Sequence, residues 1–298
     1  MKDIFHRSVR KYNLRYTRYI GDGDVNTFKK ISDSKPYDGK EVEKLECVGH
    51  VQKRLGTRLR NLKKNKKGQK LSDGKGLAGR GRLTDKQIDK LETQYGIAIR
   101  ANKNNLKGMH RNCWAVYWHK LSNDSKHYHH FCTANCPYQK AVASGTEKTY
   151  KHTNNLPEAI MDEIKPVFKD LTHPRLLKKC LEGYTQNQNE SANNLIWQYC
   201  PKVKNHGLVT VRAGVSLAVS TFNDGAYTYI KVLKELGFKA GQFAKECMKN
   251  IDAKRARHAK KQALQATHQA RIRHRRDRKD KNEEAKRKDG VEYAAGSF

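Results

Sequence analysis

Arg15-Tyr-Thr-Arg-Tyr-Ile-Gly-Asp-Gly-Asp24 runs from an alternating stretch into an acidic turn flanked by glycines. Leu14, Tyr16, Arg18 and Ile20 alternate with Arg15, Thr17 and Tyr19, and this period of two predicts a strand. Gly21 and Gly23 allow the backbone to turn sharply around Asp22. A strand end suits a metal-binding carboxylate, because the sheet fixes the backbone and the side chain projects from its rim. Asp22 and Asp24 both qualify, and Asp22, nearer the strand and in phase with it, is the better placed. Alone, a Gly-Asp-Gly-Asp run is more often a simple turn.

A second acid stands far along the chain, in Thr185-Gln-Asn-Gln-Asn-Glu-Ser-Ala-Asn193. Asn187, Glu190, Asn193, Asn194 and Trp197 share one helical face at spacings of three or four. Amides around a carboxylate suit a site for metal, water or phosphate. Asn187 and Asn189 are equally ordinary helix-capping residues, with Glu190 a first-turn acid favoured by the helix dipole.

Between the two lies Cys47-Val-Gly-His50 at a predicted strand-to-helix junction. The spacing permits a shared metal or a mutual hydrogen bond; two ligands cannot close a zinc site, so a structural pair is the default. A looser cluster, Cys113, His119, His127, His129, His130, Cys132 and Cys136, offers zinc-ligand chemistry at irregular spacing, against the alternative of surface histidines and buried thiols.

The charge balance sets the class of partner. The 298 residues carry 62 Lys+Arg against 30 Asp+Glu, a formal net charge of +32. The excess is spread along the chain, which points to a polyanion, with nucleic acid first. A solubilised or ribosome-associated basic protein is the bland alternative. No apolar run is long enough to span a bilayer, and no signal peptide opens the chain. Seven irregularly spaced cysteines suit a reducing cytosolic or nuclear setting more than a disulfide framework.

Periodicity predicts a largely helical chain. A short helix is expected over 26–31 and a weak strand over 42–47. A helix over 50–62 carries Val51, Leu55, Leu59 and Leu62 on one stripe, with Lys53, Arg54, Arg58 and Arg60 around it. Residues 63–82 collapse to Lys, Gly, Asn and Arg and read as a mobile basic loop, with a nuclear localisation signal an equal possibility for Lys63 to Lys67. Thr84-Asp-Lys-Gln87 opens a helix as a capping box. Further helices are expected over 109–121, 158–165, 175–181 (stopped by Gly183), 185–199, 211–222, 226–236 and 240–250, before a charged run from Lys254.

Taken together these motifs resemble the Mutator-like transposases of animal genomes. The matching segments are Leu14–Asp24, Glu46–Arg60, Gly79–Asp85, Tyr95–Arg100, Thr185–Asn193 and the closing Tyr293–Phe298. The resemblance implies an α/β, mainly helical fold: a partial ribonuclease H-like core interrupted by a large helical insertion, with a basic C-terminal tail. Residues 1–61 would hold part of the core and 62–179 the insertion, with its basic loop at 63–82. Residues 180–250 would complete the core and 251–298 form the tail. It also implies Asp-Asp-Glu chemistry, with Asp22 the second acid, Cys47 and His50 the Cys-x-x-His pair and Glu190 the last acid. Mg or Mn would be held by Asp22 and Glu190. The first Asp of such a triad belongs to an earlier strand, and Asp3 lacks that context, so the chain is expected to be N-terminally truncated and inactive alone. The partner implied is DNA, as transposon ends and target, in the nucleus and with a homo-oligomer as an option. Lys53, Arg54, Arg58 and Arg60 are candidate phosphate contacts. A non-catalytic, transposon-derived DNA-binding protein is the alternative, and a basic RNA-binding protein ranks last.

Overall fold

The computed structural model describes residues 1–22 and 25–263. Asp24, most of the charged run and the closing Tyr293–Phe298 lie outside the described residues. The chain divides into two compact units, Met1–Gln188 and Asn189 onward.

The first unit opens with α1 (Lys2–Tyr12), β1 (Arg18–Gly21), α2 (Val25–Asp33) and β2 (Glu43–Glu46). β1 and β2 pair in parallel, Arg18 opposite Glu43 and Gly21 opposite Glu46, so this stretch is a β-α-β unit. Phe5, Ile31, Tyr37 and Val42 form its own small core. The strand predicted from Leu14 begins only at Arg18. α1, which alternation did not reveal, ends at Tyr12 with Asn13 in the left-handed region at φ 51, and the Leu14 amide bonds back to the Ser8 carbonyl. The Tyr16 amide donates to the Tyr37 hydroxyl at 2.8 Å. Those bonds satisfy the backbone that a longer strand would have paired. Asp3 sits in the first turn of α1, not on a strand.

A helical bundle follows: α3 (Val48–Asn65), α4 (Asp85–Arg100), α5 (Leu106–Leu121), α6 (Pro137–Ala143), α7 (Glu158–Leu171) and α8 (Pro174–Lys178). Of the predicted stripe, Val51, Leu55 and Leu59 are fully buried, against Ile88, Leu91 and Tyr95 of α4 and Ile160, Ile164 and Phe168 of α7, while Leu62 is only partly buried at its end. Each such side chain contributes about 1.5–3 kcal/mol on burial. The Tyr95 and Tyr117 hydroxyls donate to the Leu171 and Met161 carbonyls, at 2.7 and 3.1 Å, and tie α4 and α5 to α7.

The helix predicted to stop at Lys165 runs through Pro166 to Leu171. Pro166 forfeits one hydrogen bond at a cost of about 3 kcal/mol, but Ile164, Phe168 and Leu171 on either side are buried and together outweigh it. The basic loop at 63–82 is not structureless: α3 runs to Asn65, and an isolated bridge pairs Lys70 with Gly76. Arg82 is 7% exposed and is ion-paired to Asp73, and its Nε donates to the Gly76 carbonyl at 2.9 Å. Leu77 and Leu83 enter the core beside it, and the Leu83 amide bonds the Leu77 carbonyl at 3.1 Å.

α9 (Asn187–Tyr199) starts at the unit boundary, and α10 (Leu208–Asp224), α11 (Thr228–Glu235) and α12 (Gln242–Ala263) follow. Asp252 of α12 accepts the Ala226 and Tyr227 amides at 2.7 and 3.1 Å, capping α11 from outside. Arg255 donates to the Thr221 and Phe222 carbonyls, at 2.9 and 3.1 Å, at the negative end of α10. The predicted tail from 251 thus begins inside α12. With twelve helices and two short strands among the described residues, the chain is mainly helical.

Candidate functional site

Parallel pairing sends the C-terminal ends of β1 and β2 to the same edge. Asp22 follows Gly21 there, and Cys47 follows Glu46, whose register partner is Gly21. The Cys47 amide donates to the Gly21 carbonyl at 3.0 Å. The structure therefore brings Asp22 and the Cys47-x-x-His50 element to one sheet edge, the usual binding edge of parallel α/β units. Asp22 is exposed, Cys47 is buried at the N-cap of α3, and His50 lies half-buried in its first turn.

The chain preceding the second motif returns to this edge. The Lys179 carbonyl accepts the Glu46 amide at 3.1 Å and the Tyr184 carbonyl accepts that of Val48 at 3.0 Å. Gln186 donates its amide to Cys47 Sγ at 3.4 Å and its side chain to the Ile20 carbonyl at 2.8 Å. Arg18 reaches Glu182 at 2.7 Å and the Tyr184 hydroxyl at 2.9 Å. Cys47 thus holds the backbone of a distant segment. Glu190 lies in the first turn of α9, exposed, in the second unit.

A divalent hard cation needs convergent oxygens. Asp22 and Glu190 are both suitable donors by type. Asp22 belongs to the first unit and Glu190 to the second.

The four basic candidates on α3 differ in what they touch. Arg54 pairs with Glu46 at 2.6 Å, with the Glu46 side chain 8% exposed. Arg58 pairs with Asp170 at 3.2 Å, and Arg60 meets Asp89 and Glu92 of α4. Lys53 is exposed. The Arg58 and Arg60 pairs lie at the surface, where such contacts are worth about 0–1 kcal/mol and yield readily to a phosphate.

The histidine- and cysteine-rich segment is resolved into four that meet and three that do not. His119 of α5, His129, Cys132 and Cys136 present ligand atoms all within 4.8 Å of one another. Cys132 Sγ lies 3.7 Å from His119 Nδ1 and 3.6 Å from His129 Nδ1; for Cys136 Sγ the distances are 3.6 and 3.5 Å. Two successive turns build the cluster, since the Cys132 amide bonds the His129 carbonyl and the Cys136 amide that of Thr133. Tyr138 stacks on the His129 ring at 4.3 Å between centroids. Cys113 is buried in the helical core, His127 stacks on Tyr138, and His130 packs beside Trp118. Burial holds the His129 imidazole down at about 4, helped by His119, His152 and His127, and lowers His119 as well. Burial, then neighbouring Cys136, pushes the Cys132 thiol up.

His152 is a participant that spacing did not suggest. Its Nε2 meets His129 Nε2 at 2.9 Å, and its Nδ1 meets Asp124 Oδ1 at 3.0 Å. It lies 23 residues from His129, with no local pattern to betray the contact.

A family model, Mutator-like transposase, matches residues 1–154. No curated protein and no solved structure matches the chain. The matched stretch holds the β-α-β unit, Asp22, the Cys47-x-x-His50 element and the His/Cys cluster. Covering more than half of the 298 residues, it shows that the chain belongs to the Mutator-like transposase family.

Proposed function

We propose that this transposase-derived chain binds DNA in the nucleus and is descended from an Asp-Asp-Glu enzyme, with Asp22 and Glu190 its two metal-binding carboxylates. The observation carrying the reading is the shared edge of Asp22 and Cys47-x-x-His50, inside the matched region. The parallel β1-α2-β2 unit supports a ribonuclease H-like ancestry for this part, with residues 62–179 as a helical insertion. Bound Mg or Mn would supply Lewis-acid activation of a nucleophile and of the leaving oxygen in phosphodiester cleavage. The formal charge of +32 supports a duplex partner, terminal repeats and target alike, and a homo-oligomer would hold two ends together.

The 298-residue chain alone is expected not to cut DNA. A site of this kind lacking one of its three carboxylates would hold metal weakly and misplace it. The test is incubation with labelled duplexes carrying candidate terminal repeats in Mg or Mn. Robust cutting abolished by Asp22→Asn and by Glu190→Gln, each alone, would overturn the prediction of inactivity and support both residues as metal-binding carboxylates.

A second reading, a non-catalytic DNA-binding protein derived from a transposon, needs only the basic surface and the stable helical bundle of the first unit. It predicts duplex affinity that falls steeply with salt and is unchanged by Glu190→Gln. Preference for RNA of the same length over duplex DNA would sink both.

A further inference from the structure

We infer that His119, His129, Cys132 and Cys136 form a structural zinc site, with His119 and His129 both ligating through Nδ1 and with His152 and Asp124 supporting it from behind. The inference is independent of the DNA-processing reading, and neither test bears on the other.

The first argument is geometric. Tetrahedral zinc with metal–sulfur bonds of about 2.3 Å and metal–nitrogen bonds of about 2.0–2.1 Å has sulfur–nitrogen edges of about 3.5–3.6 Å. The four such edges here are 3.5, 3.6, 3.6 and 3.7 Å. Thiol–imidazole hydrogen bonding alone does not account for the set. Even with a ring proton on one Nδ1 added to the two thiol protons, at most three of the four edges can carry a hydrogen bond at once, whereas the four are of nearly equal length.

The second argument is the proton inventory. If His129 Nδ1 binds metal, its Nε2 carries the ring proton and donates to His152 Nε2. His152 then carries its own proton on Nδ1 and donates it to Asp124 Oδ1. Each nitrogen then has one role. This is the carboxylate–histidine support commonly found behind metal-bound histidines. Two thiolates balance the charge of Zn²⁺, so the buried centre is neutral overall.

The third argument is the poverty of the local core. Between Ser122 and Asn155 the buried residues are Ser122, His129 and Cys136, two of them ligands. Regular structure there is limited to α6 and one turn at Glu147–Thr149. Such a segment has little apolar burial to offset its conformational entropy, and a metal crosslink to α5 supplies what packing does not. All four positions are ligated and the centre is closed, which suits a structural and not a catalytic role.

The test uses the full chain, expressed with added zinc and desalted into metal-free buffer. One zinc per chain is expected by elemental mass spectrometry. Replacement by Co²⁺ should give the intense visible bands and sulfur-to-metal charge transfer of a tetrahedral site with two thiolates. The Cys132→Ser, Cys136→Ser double variant should lose the zinc, and His130→Ala should keep it. His152→Ala should keep the stoichiometry but bind about 10- to 100-fold more weakly in competition with a chromophoric chelator. If the double variant does not fold, the cobalt spectrum of the unaltered chain decides. A chain without stoichiometric zinc, a weak octahedral cobalt spectrum, or full zinc retention by the double variant overturns the site. Unchanged affinity in His152→Ala overturns the supporting role.

Discussion

The backbone amide of Gln186 donates to Cys47 Sγ at 3.4 Å, joining residues 139 apart in sequence. The sulfur sits at the N-cap of α3 but caps no amide of its own helix. Its work is to hold the segment leading to the Thr185–Asn193 motif against the strand ends. Cys47→Ala should leave the Gln186 amide without that acceptor and cost about 1–3 kcal/mol. Cys47→Ser restores an acceptor and adds a good capping hydroxyl, so it should lie within about 1 kcal/mol of the parent chain. Urea midpoints with unchanged slopes would measure both. Equal losses in the two variants would point instead to a role that only sulfur can fill.

Arg54 and Lys53 are neighbours in sequence with different expected phenotypes. Arg54 neutralises Glu46, whose side chain is 8% exposed, so Arg54→Ala leaves a nearly buried carboxylate unpaired. A loss of about 2 kcal/mol in stability is expected, discounted for the partial exposure of the arginine. Lys53 is exposed, and Lys53→Ala should leave stability unchanged while lowering the slope of log affinity for duplex DNA against log salt by about 1. Thermal melts and a salt series of binding isotherms separate the two. A reduced salt slope in Arg54→Ala with no loss of stability would reverse the assignment.

The contrast shows where sequence reading succeeds. The stripe Val51, Leu55 and Leu59 is buried because a 3.6-residue period cannot otherwise be hidden, and Thr84 caps α4 by accepting the Gln87 amide at 3.3 Å. These are local signals. Arg58 looks on the sequence like any phosphate-binding arginine, and only the fold places Asp170 beside it, 112 residues away. His152 is missed for the same reason. Of the loosely spaced histidines and cysteines, composition marks the cluster, but only the turns at 129–136 select four. Compositional bias also misleads at 63–82, where Lys and Gly dominate yet Leu77, Leu83 and Arg82 anchor the chain.

That loop gives a test of order. Arg82→Ala removes the donors to Asp73 and to the Gly76 and Lys75 carbonyls. The amides of Leu71 and Leu83 should then exchange at least about tenfold faster by hydrogen-exchange mass spectrometry, as loss of a charge-assisted network predicts. The hydrogen bond from Arg82 holds the Asp73 carboxyl below its ordinary 3.8. A carboxylate depressed in the folded state stabilises above its unfolded value, and the contribution fades as pH falls through the folded one. Protection corrected for intrinsic rates should therefore be level above about pH 5 and decline below about pH 4. Fast exchange in the parent chain at neutral pH would show the loop to be mobile after all.

Thiol reactivity should follow burial, residue by residue. Cys247 is exposed on α12, whereas Cys113 and Cys180 are buried in the helical core. Burial is the main cause pushing Cys180 up to about 12, with Glu46 adding to it, and burial pushes Cys113 up beyond that range. The thiolate is the nucleophile, so neither buried thiol should react at neutral pH without unfolding. Brief treatment of the native chain with iodoacetamide, followed by peptide mass spectrometry, should therefore modify Cys247 first and leave Cys113 and Cys180 intact. Cys247→Ser should remove the fast phase without changing stability by more than about 0.5 kcal/mol. Guanidinium should expose Cys113 and Cys180 together, since both belong to one core that opens as a unit. Labelling of Cys180 ahead of Cys113 would mean that α8 and the chain after it detach before the bundle unfolds. The contacts of 179–186 with the strand ends would then be weaker than their hydrogen bonds imply.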